Sequence, residues 1–382
     1  MQPIKVLVVD DSVVIRRLLT AVLDAEVDIE VVGYSTNGRL ALSKIEQLDP
    51  DVISLDVMMP EMDGIECVRE IRKRFGDLPV IMFSSLTEEG AAVTMEALDA
   101  GANDFVTKPW KTDGFADSVS QVSDQLVSRI RALHSSRSGG RPAPGRRSAA
   151  PAPAAPPAPL PKAGATRAPA ASSAPRRQPA GPIEALVIGS STGGPNALND
   201  LFAALPGDLG VPILITQHMP PMFTKLLAER LEKRSSYRVA EATDGGLVQP
   251  NHVVVAPGDY HMRVVRDGTS IRTTLDQEPP VHSCRPAVDP LFASACKVWG
   301  GNLLCLVLTG MGQDGAEGAA QIHAAGGQVL AQDEATSVVW GMPGAVAEAG
   351  VADAILPLDR IAAEVTTRIQ AGRGRLARGG VR

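Results

Sequence analysis

The chain has 382 residues, with 44% hydrophobic and 21% charged side chains and a formal net charge of −6, a composition typical of soluble protein with two globular domains. No apolar run approaches the roughly 20 residues that a membrane-spanning helix requires, and the stretch MQPIKVLVVDDS lacks a signal-peptide cleavage pattern. We therefore expect a cytoplasmic protein that does not insert into a membrane.

A basic segment divides the chain into two parts. Residues 134–182 contain eight Lys or Arg and no Asp or Glu, and they are rich in Ala and Pro. Such a segment has too little apolar surface to offset the entropy of ordering, so we predict a disordered tether rather than a binding motif. Aromatic residues are only 3% of the chain and do not interleave with these cations, which argues against a nucleic-acid surface. The final stretch, AGRGRLARGGVR, is predicted to be a loose basic tail.

The four cysteines form no C-x-x-C pair and match no zinc or disulfide spacing. They are Cys67, Cys284, Cys296 and Cys305. We expect reduced and mostly buried thiols.

The first part of the chain alternates short β-branched runs with amphipathic stretches. The predicted strands are KVLVVD, EVVGYS, DVISLD, PVIMFS and NDFVTK. Between them, stretches such as SVVIRRLLTAVLDA carry apolar residues at helical spacing. This alternation predicts a five-stranded, doubly wound parallel sheet of the flavodoxin-like type, whose ligands lie beyond the carboxyl ends of the strands.

Polar residues stand at those strand ends. Asp10 and Asp11 end the first strand, Asp56 the third, Ser84 the fourth and Lys108 the fifth. Clustered carboxylates suit a hard cation such as Mg²⁺, and one of them can also accept a phosphoryl group. A single aspartate at such a place would more often cap a helix, but five polar groups on four strand ends favour a site.

The motifs VVDDS, DVISLDVMMPEMDG, VIMFSS and DFVTKP resemble the receiver domain of two-component response regulators over roughly residues 4–125. The resemblance implies that Asp56 accepts phosphate from a histidine kinase. It further implies that Asp10 and Asp11, with Asp56, hold Mg²⁺, that Ser84 and Phe105 are the switch residues, and that Lys108 contacts the phosphoryl group.

The second part also alternates strand-like and helix-like segments and is predicted to be a parallel α/β domain. Its first strand ends in GSSTGGP, which has neither the lysine of a phosphate-binding loop nor the Rossmann glycine pattern. It does match G-x-S-x-G between a strand and a helix, where a tight turn can expose a serine. That register selects Ser191 as the nucleophile rather than Ser190.

A nucleophilic serine requires a base and a group that orients the base. His218 directly follows a predicted strand and is favoured over His252, His261, His282 and His323. Asp314 follows another strand within a glycine-rich loop. Spacing alone leaves Asp259 and Asp289 open as alternatives to Asp314.

The motifs IGSSTGGP, TQHMP, VAPGDYHM, HSCRPAVDPLFASA and LTGMGQDGAEG together resemble the catalytic domain of the CheB family of chemotaxis protein-glutamate methylesterases. The resemblance implies Ser191 as nucleophile, His218 as general base and acid, Asp314 as orienting carboxylate and the N–H of Met311 as an oxyanion donor. It places four further residues near the substrate: Thr192, His261, His282 and Arg285.

The two resemblances imply a phosphorylation-regulated esterase that demethylates glutamyl methyl esters, and deamidates glutamines, on methyl-accepting chemotaxis receptors. The predicted boundaries are 1–125 for the receiver, 126–182 for its helical end and linker, 183–370 for the esterase and 371–382 for the tail. We expect the unphosphorylated receiver to cover part of the active site, with weaker inhibition because the linker is long.

Three alternatives stay open at this point. The chain could be a receptor-binding adaptor without turnover, although no catalytic position is missing. It could be a DNA-binding regulator, although it lacks a helix-turn-helix ending. It could also be the same esterase acting in a signalling array outside chemotaxis.

Overall fold

The computed structural model describes residues 2–109, 115–139 and 181–379. Most of the predicted linker therefore lies outside the described residues. None of the described helices combines the length and the apolar character needed to cross a bilayer.

The N-terminal domain is a five-stranded parallel sheet with the strand order β2-β1-β3-β4-β5, as the alternating pattern predicts. Its strands are β1 (Ile4–Val9), β2 (Ile29–Ser35), β3 (Val52–Asp56), β4 (Val80–Ser84) and β5 (Asp104–Thr107). Its helices are α1 (Val13–Leu23), α2 (Gly38–Leu48), α3 (Gly64–Phe75), α4 (Glu88–Asp99) and α5 (Phe115–Gly139). The strands β3 and β4 are buried along their whole length because helices cover both faces of the sheet.

Polar caps fix where the first four helices begin. The cap side chain in each case accepts a hydrogen bond from the backbone N–H three residues later, which satisfies one of the free donors of the first turn. The caps are Ser12, Asn37, Asp63 and Thr87.

The C-terminal domain contains a seven-stranded sheet with the order β14-β13-β12-β6-β7-β9-β8, in which every neighbouring pair is parallel. The strands are β6 (Ala185–Ser190), β7 (Ile213–Gln217), β8 (Arg238–Glu241), β9 (His252–Val255), β12 (Leu303–Val307), β13 (Gln328–Gln332) and β14 (Ala354–Leu356). An antiparallel ribbon is made of β10 (His261–Asp267) and β11 (Ser270–Asp276). The sequence pattern missed β8 and β10, because polar, partly exposed residues break the apolar run that marks a buried strand. It also missed β14, which is apolar but only three residues long.

Within residues 181–379, six helices complete this domain. They are α6 (Gly194–Ala204), α7 (Phe223–Arg234), α8 (Val288–Trp299), α9 (Ala316–Ala324), α10 (Met342–Glu348) and α11 (Leu358–Gly379). The last helix runs through residues 371–379, where we expected a loose tail. Arg, Leu and Ala in that stretch are good helix formers, so a helix already packed at its start continues through it.

The two domains pack through α4 and β5 of the first and α6 and α7 of the second. The rings of Phe105 and Phe223 stack with centroids 4.3 Å apart and an interplanar angle of 14°. Asp99 at the end of α4 pairs with Arg230 and Arg234 on α7. This interface brings Asp104, the first residue of β5, into contact with Thr192 in the turn that follows β6.

Candidate active site

The predicted acidic cluster of the N-terminal domain forms at the carboxyl edge of its sheet. Oxygen atoms of Asp10, Asp11 and Asp56 lie within 4.8 Å of one another. The Lys108 ammonium lies 2.9 Å from Asp56 Oδ1 and 3.1 Å from Asp10 Oδ2. Asp10 and Asp56 are buried whereas Asp11 is exposed, so the cluster opens to solvent on one side.

The acidic cluster carries more negative than positive charge. Burial, reinforced by the Asp56 carboxylate, raises the pKa of Asp10 to about 6. Burial also raises the pKa of Asp56, although Lys108 opposes that shift. Asp10 Oδ2 makes no well-formed hydrogen bond among the described residues. An extra cation would stabilise both carboxylates, and three convergent oxygen ligands fit the chemistry of Mg²⁺.

The two predicted switch residues, Ser84 and Phe105, have their partners outside the acidic cluster. Ser84 Oγ lies 3.1 Å from the Gly90 carbonyl oxygen and 2.5 Å from Thr94 Oγ1, both on α4. Phe105 is 6% exposed because its ring packs against Phe223 of the other domain. The hydroxyl therefore faces α4, and the ring faces the other domain.

The turn after β6 separates the roles of the two adjacent serines. Ser190 is fully buried, and its hydroxyl donates to Gln217 Oε1 at 2.7 Å. Ser191 is half-buried, and its Oγ makes no hydrogen bond with any residue that the structure describes. Gly193 follows with φ 77°, and a Cβ there would lie 2.6 Å from Val338, so the turn requires glycine. The geometry makes Ser191 the serine that is available for chemistry.

His218 and Asp314 meet at the same edge of the sheet. His218 follows β7, and its backbone N–H donates to the Ser190 carbonyl at 3.1 Å. His218 Nε2 lies 2.7 Å from Asp314 Oδ2. The other two carboxylates that the sequence left open have different partners, since Asp259 binds Arg285 and Asp289 contacts His282.

The N-terminus of α8 holds the Asp314 carboxylate. The backbone N–H of Val288 donates to Oδ2 at 2.6 Å and that of Asp289 to Oδ1 at 3.0 Å. Burial alone would raise the pKa of Asp314, but the contact with His218 and these two donors outweigh it and lower the pKa. Asp314 is therefore ionised and fixed in orientation.

Asp314 in turn changes the proton affinity of His218. Burial disfavours the imidazolium, but contacts with Asp314 and with Cys284 outweigh burial and raise the pKa of His218 above its ordinary value. Because Nε2 faces the carboxylate, Nδ1 is the ring nitrogen left for proton transfer.

Two backbone donors line the same cleft as these side chains. Neither the Thr192 N–H nor the Met311 N–H donates to another described residue. Both residues border a cleft of about 410 Å³ together with Ser191, His218 and Asp314. Free N–H groups beside an available serine hydroxyl are the donors that an oxyanion hole requires.

The remaining predicted neighbours divide into two groups. His282 and Arg285 border the cleft. His261 is fully buried and does not line the cleft; its Nδ1 accepts from the Ala287 N–H at 3.2 Å and its Nε2 lies 3.2 Å from the Pro279 carbonyl oxygen. It holds both ends of the loop that carries His282 and Arg285.

The N-terminal domain supplies part of the cleft wall. Thr107 of β5 and four residues of α5 border it: Asp124, Gln125, Ser128 and Arg129. Asp104 Oδ2 accepts a hydrogen bond of 2.6 Å from Thr192 Oγ1, next to Ser191 in the chain, and lies 3.0 Å from Arg129 Nε. The expectation that this domain covers part of the active site agrees with this arrangement.

Sequence reasoning missed three residues of this site. Asp104 could have been suspected only because it precedes Phe105. Gln217 donates from Nε2 to the Ser191 carbonyl at 2.9 Å and was included only as the end of a strand. Cys284 lies inside HSCRPAVD, but its spacing to the other cysteines gave no reason to single it out.

Comparisons with known proteins agree with this arrangement of domains. Residues 6–120 match the family described as "Response regulator receiver domain", and residues 186–365 match "CheB methylesterase". A protein of Nocardioides sp. named "Protein-glutamate methylesterase/protein-glutamine glutaminase" is 50% identical over 97% of this chain and 96% of its own length. A protein of Trichodesmium erythraeum with the same name is 43% identical over 97% of this chain and all of its own length.

A solved structure titled as the CheB methylesterase catalytic domain of Thermotoga maritima is 41% identical over 48% of this chain and 97% of that chain, with a TM-score of 0.47. The Nocardioides and Trichodesmium relatives are similar to the chain across both of its domains. The chain belongs to the CheB family of protein-glutamate methylesterases, with a response-regulator receiver at its N-terminal end.

Proposed function

We propose that Ser191 of this chain attacks the γ-carbonyl of glutamyl methyl esters and that His218 and Asp314 activate it. The observation that carries this proposal is the joint geometry of the half-buried serine, the 2.7 Å His218–Asp314 contact and two unpaired N–H groups in one cleft. Neutral Nδ1 of His218 takes the Ser191 proton as the Oγ–carbon bond forms.

The tetrahedral intermediate places negative charge on the former carbonyl oxygen. The N–H groups of Thr192 and Met311 are the donors for that oxyanion, and each such donor contributes on the order of 10²- to 10³-fold in rate in other serine hydrolases. His218 then gives its proton to the departing methoxide, so methanol leaves. Water attacks the acyl-enzyme in the second step and releases glutamate.

The same acyl chemistry acts on glutamine, with ammonia as the leaving group. The named relatives carry both activities in their names. We assign to this chain the cytoplasmic regions of methyl-accepting chemotaxis receptors as substrates, and a cytoplasmic location follows from that assignment. Residues 183–370 carry this activity, residues 1–125 control it, 126–182 connect the two, and 371–382 follow the esterase.

Control comes from phosphorylation of Asp56 by a histidine kinase. Asp10, Asp11 and Asp56 would hold Mg²⁺, which when bound neutralises charge around the acceptor carboxylate. Asp56 attacks the phosphorus atom of the kinase's phosphohistidine, the P–N bond breaks and the kinase histidine leaves. Lys108, which lies 2.9 Å from Asp56 Oδ1, pairs with the transferred group. Ser84 then exchanges its partners on α4 for a phosphoryl oxygen.

Movement of Ser84 would change the contacts at the domain interface. Phe105 on the neighbouring strand β5 stacks on Phe223, and the preceding residue, Asp104, holds Thr192. A shift of β5 and α4 therefore loosens both contacts and uncovers the cleft. Release of Thr192 also frees the turn that carries Ser191.

The test is methanol release from methylated chemoreceptor membranes, with and without acetyl phosphate. Wild-type protein is expected to release methanol faster with the phosphodonor. Ser191→Ala should lose at least about 10³-fold in kcat, as removal of a hydrolase nucleophile does, while Ser190→Ala is the matched control and keeps most of the activity. Release that persists in Ser191→Ala would overturn the proposed nucleophile. If correctly folded wild-type protein releases no methanol, the proposed assignment of chemoreceptors as the substrate is overturned.

A further inference from the structure

Cys284 is in contact with the proposed catalytic base. Its Sγ lies 3.4 Å from His218 Nδ1, and the residue is half-buried at the border of the cleft that contains Ser191. The proposed mechanism does not use this thiol. Of the four cysteines, Cys67 and Cys305 are buried, and Cys296 contacts the Gln321 carbonyl oxygen on another face.

The contact occupies the nitrogen that Ser191 needs. His218 Nε2 faces Asp314, so Nδ1 is the nitrogen that would take the serine proton. Nδ1 has the sulfur of Cys284 as its partner, whereas Ser191 Oγ makes no hydrogen bond among the described residues. When the ring is protonated, both nitrogens donate, one to the carboxylate and the other to the sulfur.

The loop that carries Cys284 is held firmly against the base. Val281 and Cys284 exchange two backbone hydrogen bonds of 3.1 and 2.9 Å, which closes a turn whose central residues, His282 and Ser283, have φ values of 49° and 62°. Arg285 then binds Asp259 with N–O distances of 3.0 and 2.6 Å. With both ends of the turn tied, the sulfur has a fixed place beside His218.

We propose that Cys284 is a positioning residue that holds the Nδ1–H of His218 in the receiver-docked form and so withholds the base from Ser191. The proposal rests on the catalytic roles given above to Ser191 and His218. The thiol then inhibits the esterase from inside the active site, in addition to the inhibition that comes from coverage of the cleft by the receiver. Turnover requires His218 to release this contact and to lose the Nδ1 proton.

The charges around His218 agree with this arrangement. Asp314 and Cys284 both favour the protonated ring. The other charged or titratable groups that border the cleft are Asp124, Arg129, His282 and Arg285. Of these, Arg129 is paired with Asp104, Arg285 with Asp259, and His282 contacts Asp289, so Cys284 and Asp314 are the groups in direct contact with the ring.

The experiment compares full-length wild type with Cys284→Ala and with the matched control Cys296→Ala, which removes the other half-buried thiol. Methanol release from methylated receptor membranes is measured without phosphodonor across a range of pH. Cys284→Ala should raise kcat about two- to tenfold, the effect of one hydrogen bond, with KM unchanged. Its rising pH limb should move to lower pH because the neutral base forms more easily.

Methyl methanethiosulfonate gives a second readout on the folded wild-type protein. The Cys284 sulfur attacks the reagent, an S–S bond forms and methanesulfinate leaves; a thiol beside a cationic histidine favours this reaction. The added methylthio group fills the space in front of Nδ1. Wild type and Cys296→Ala should lose activity and regain it with dithiothreitol, while Cys284→Ala resists the reagent.

The outcomes separate this inference from the proposed function. If Ser191→Ala is inactive but Cys284→Ala has the rate and pH profile of wild type, or is slower at every pH, the inference is overturned and the proposed function stands. If the reagent inactivates Cys284→Ala as it does wild type, the inference is also overturned. Activity in Ser191→Ala would overturn the proposed function itself.

Discussion

Asp56 and Asp314 are both buried aspartates at the carboxyl edge of a parallel sheet, yet their proton affinities are shifted in opposite directions. Burial raises the pKa of Asp56, whereas the contact with His218 and two backbone donors lower the pKa of Asp314 in spite of burial. Asp56 shares its surroundings with Asp10, and Lys108 is the cation in contact with both carboxylates. Asp314 has the imidazole and the first two N–H groups of α8.

The position at the strand end therefore fixes where each carboxylate lies, but the charged and hydrogen-bonding groups around it determine its chemical role. A carboxylate with too little positive charge around it gains most from a cation and an electrophile, which suits an acceptor of phosphate. A carboxylate whose charge is fully satisfied cannot leave its partners, which suits an orienting group.

Removing the charge at Asp314 should lower kcat more than any other change considered below. Asp314→Asn should lower kcat by about 10⁴-fold, because the ring loses its orientation and its correct tautomer. The same change lowers the pKa of His218, so the rising limb of the pH–rate profile should move to lower pH while the maximum falls. Steady-state methanol release from pH 5 to 10 measures both effects.

The controls for this variant are Asp259→Asn and Asp289→Asn, which change the two carboxylates that spacing alone could not exclude. Each should lose less than about a hundredfold, below the loss expected for a group that acts on the base. A larger loss in either of them than in Asp314→Asn would reverse the assignment of the orienting carboxylate.

Mg²⁺ at the acidic cluster should have a moderate effect on the thermal stability of the receiver. The pKa of Asp10 is raised to about 6 in the folded protein, so the folded state holds this proton more tightly than the unfolded chain does. The stability that this proton contributes is present at low pH and is lost as the pH rises through 6. Mg²⁺ should therefore raise the melting temperature of the receiver by about 3–8 °C at pH 7.5, and by less at pH 5.

Thermal unfolding of the full chain at both pH values measures this difference, with K⁺ at matched ionic strength as the control. Asp10→Asn should abolish most of the Mg²⁺ effect, because it removes a ligand together with its charge. Equal stabilisation by Mg²⁺ at pH 5 and pH 7.5 would contradict a link between the cation and the Asp10 proton.

The smallest change in activity is expected from breaking a contact between the receiver and the esterase domain. Thr192→Val and Asp104→Ala each remove the 2.6 Å contact between the receiver and the nucleophile turn and should raise unphosphorylated activity by roughly tenfold, since a hydrogen bond to a charged group is lost. The double variant should not exceed the stronger single variant, because both changes break the same contact.

The matched control is Asp124→Ala, which removes an exposed carboxylate from the same cleft wall and should leave activity near wild type. Methanol release without phosphodonor is the measurement for all four proteins. Fully additive effects of the two single changes would mean that Asp104 and Thr192 act separately.

The sequence predicts the elements that have strong local patterns. The apolar runs at β3, β6 and β12 are buried on both faces, so they stand out without any tertiary information. The G-x-S-x-G register selects Ser191, which is half-buried while Ser190 is fully buried, because the turn geometry is local. Strand β10 lacks such a pattern, and it depends on antiparallel pairing with β11, which the sequence does predict.

The missed residues of the site depend on contacts between distant parts of the chain. Cys284 is 66 positions from His218, and Asp104 is 88 positions from Thr192. A lone thiol or a lone carboxylate in a sequence has many possible partners, and nothing in its own surroundings selects one. The docking of the two domains determines the second of these contacts, which a reading of each domain by itself could not provide.

The stacking of Phe105 on Phe223 makes phosphorylation and domain separation parts of one thermodynamic cycle. If phospho-Asp56 weakens the interface by a given factor, then anything that separates the domains strengthens the phosphorylated state by the same factor. Under the proposed function, a receptor helix that entered the cleft would displace the wall formed by α5 and would itself be such a ligand. On that proposal the substrate would act as an effector of the receiver, and receptors rich in methyl esters would prolong the signal that directs their own demethylation.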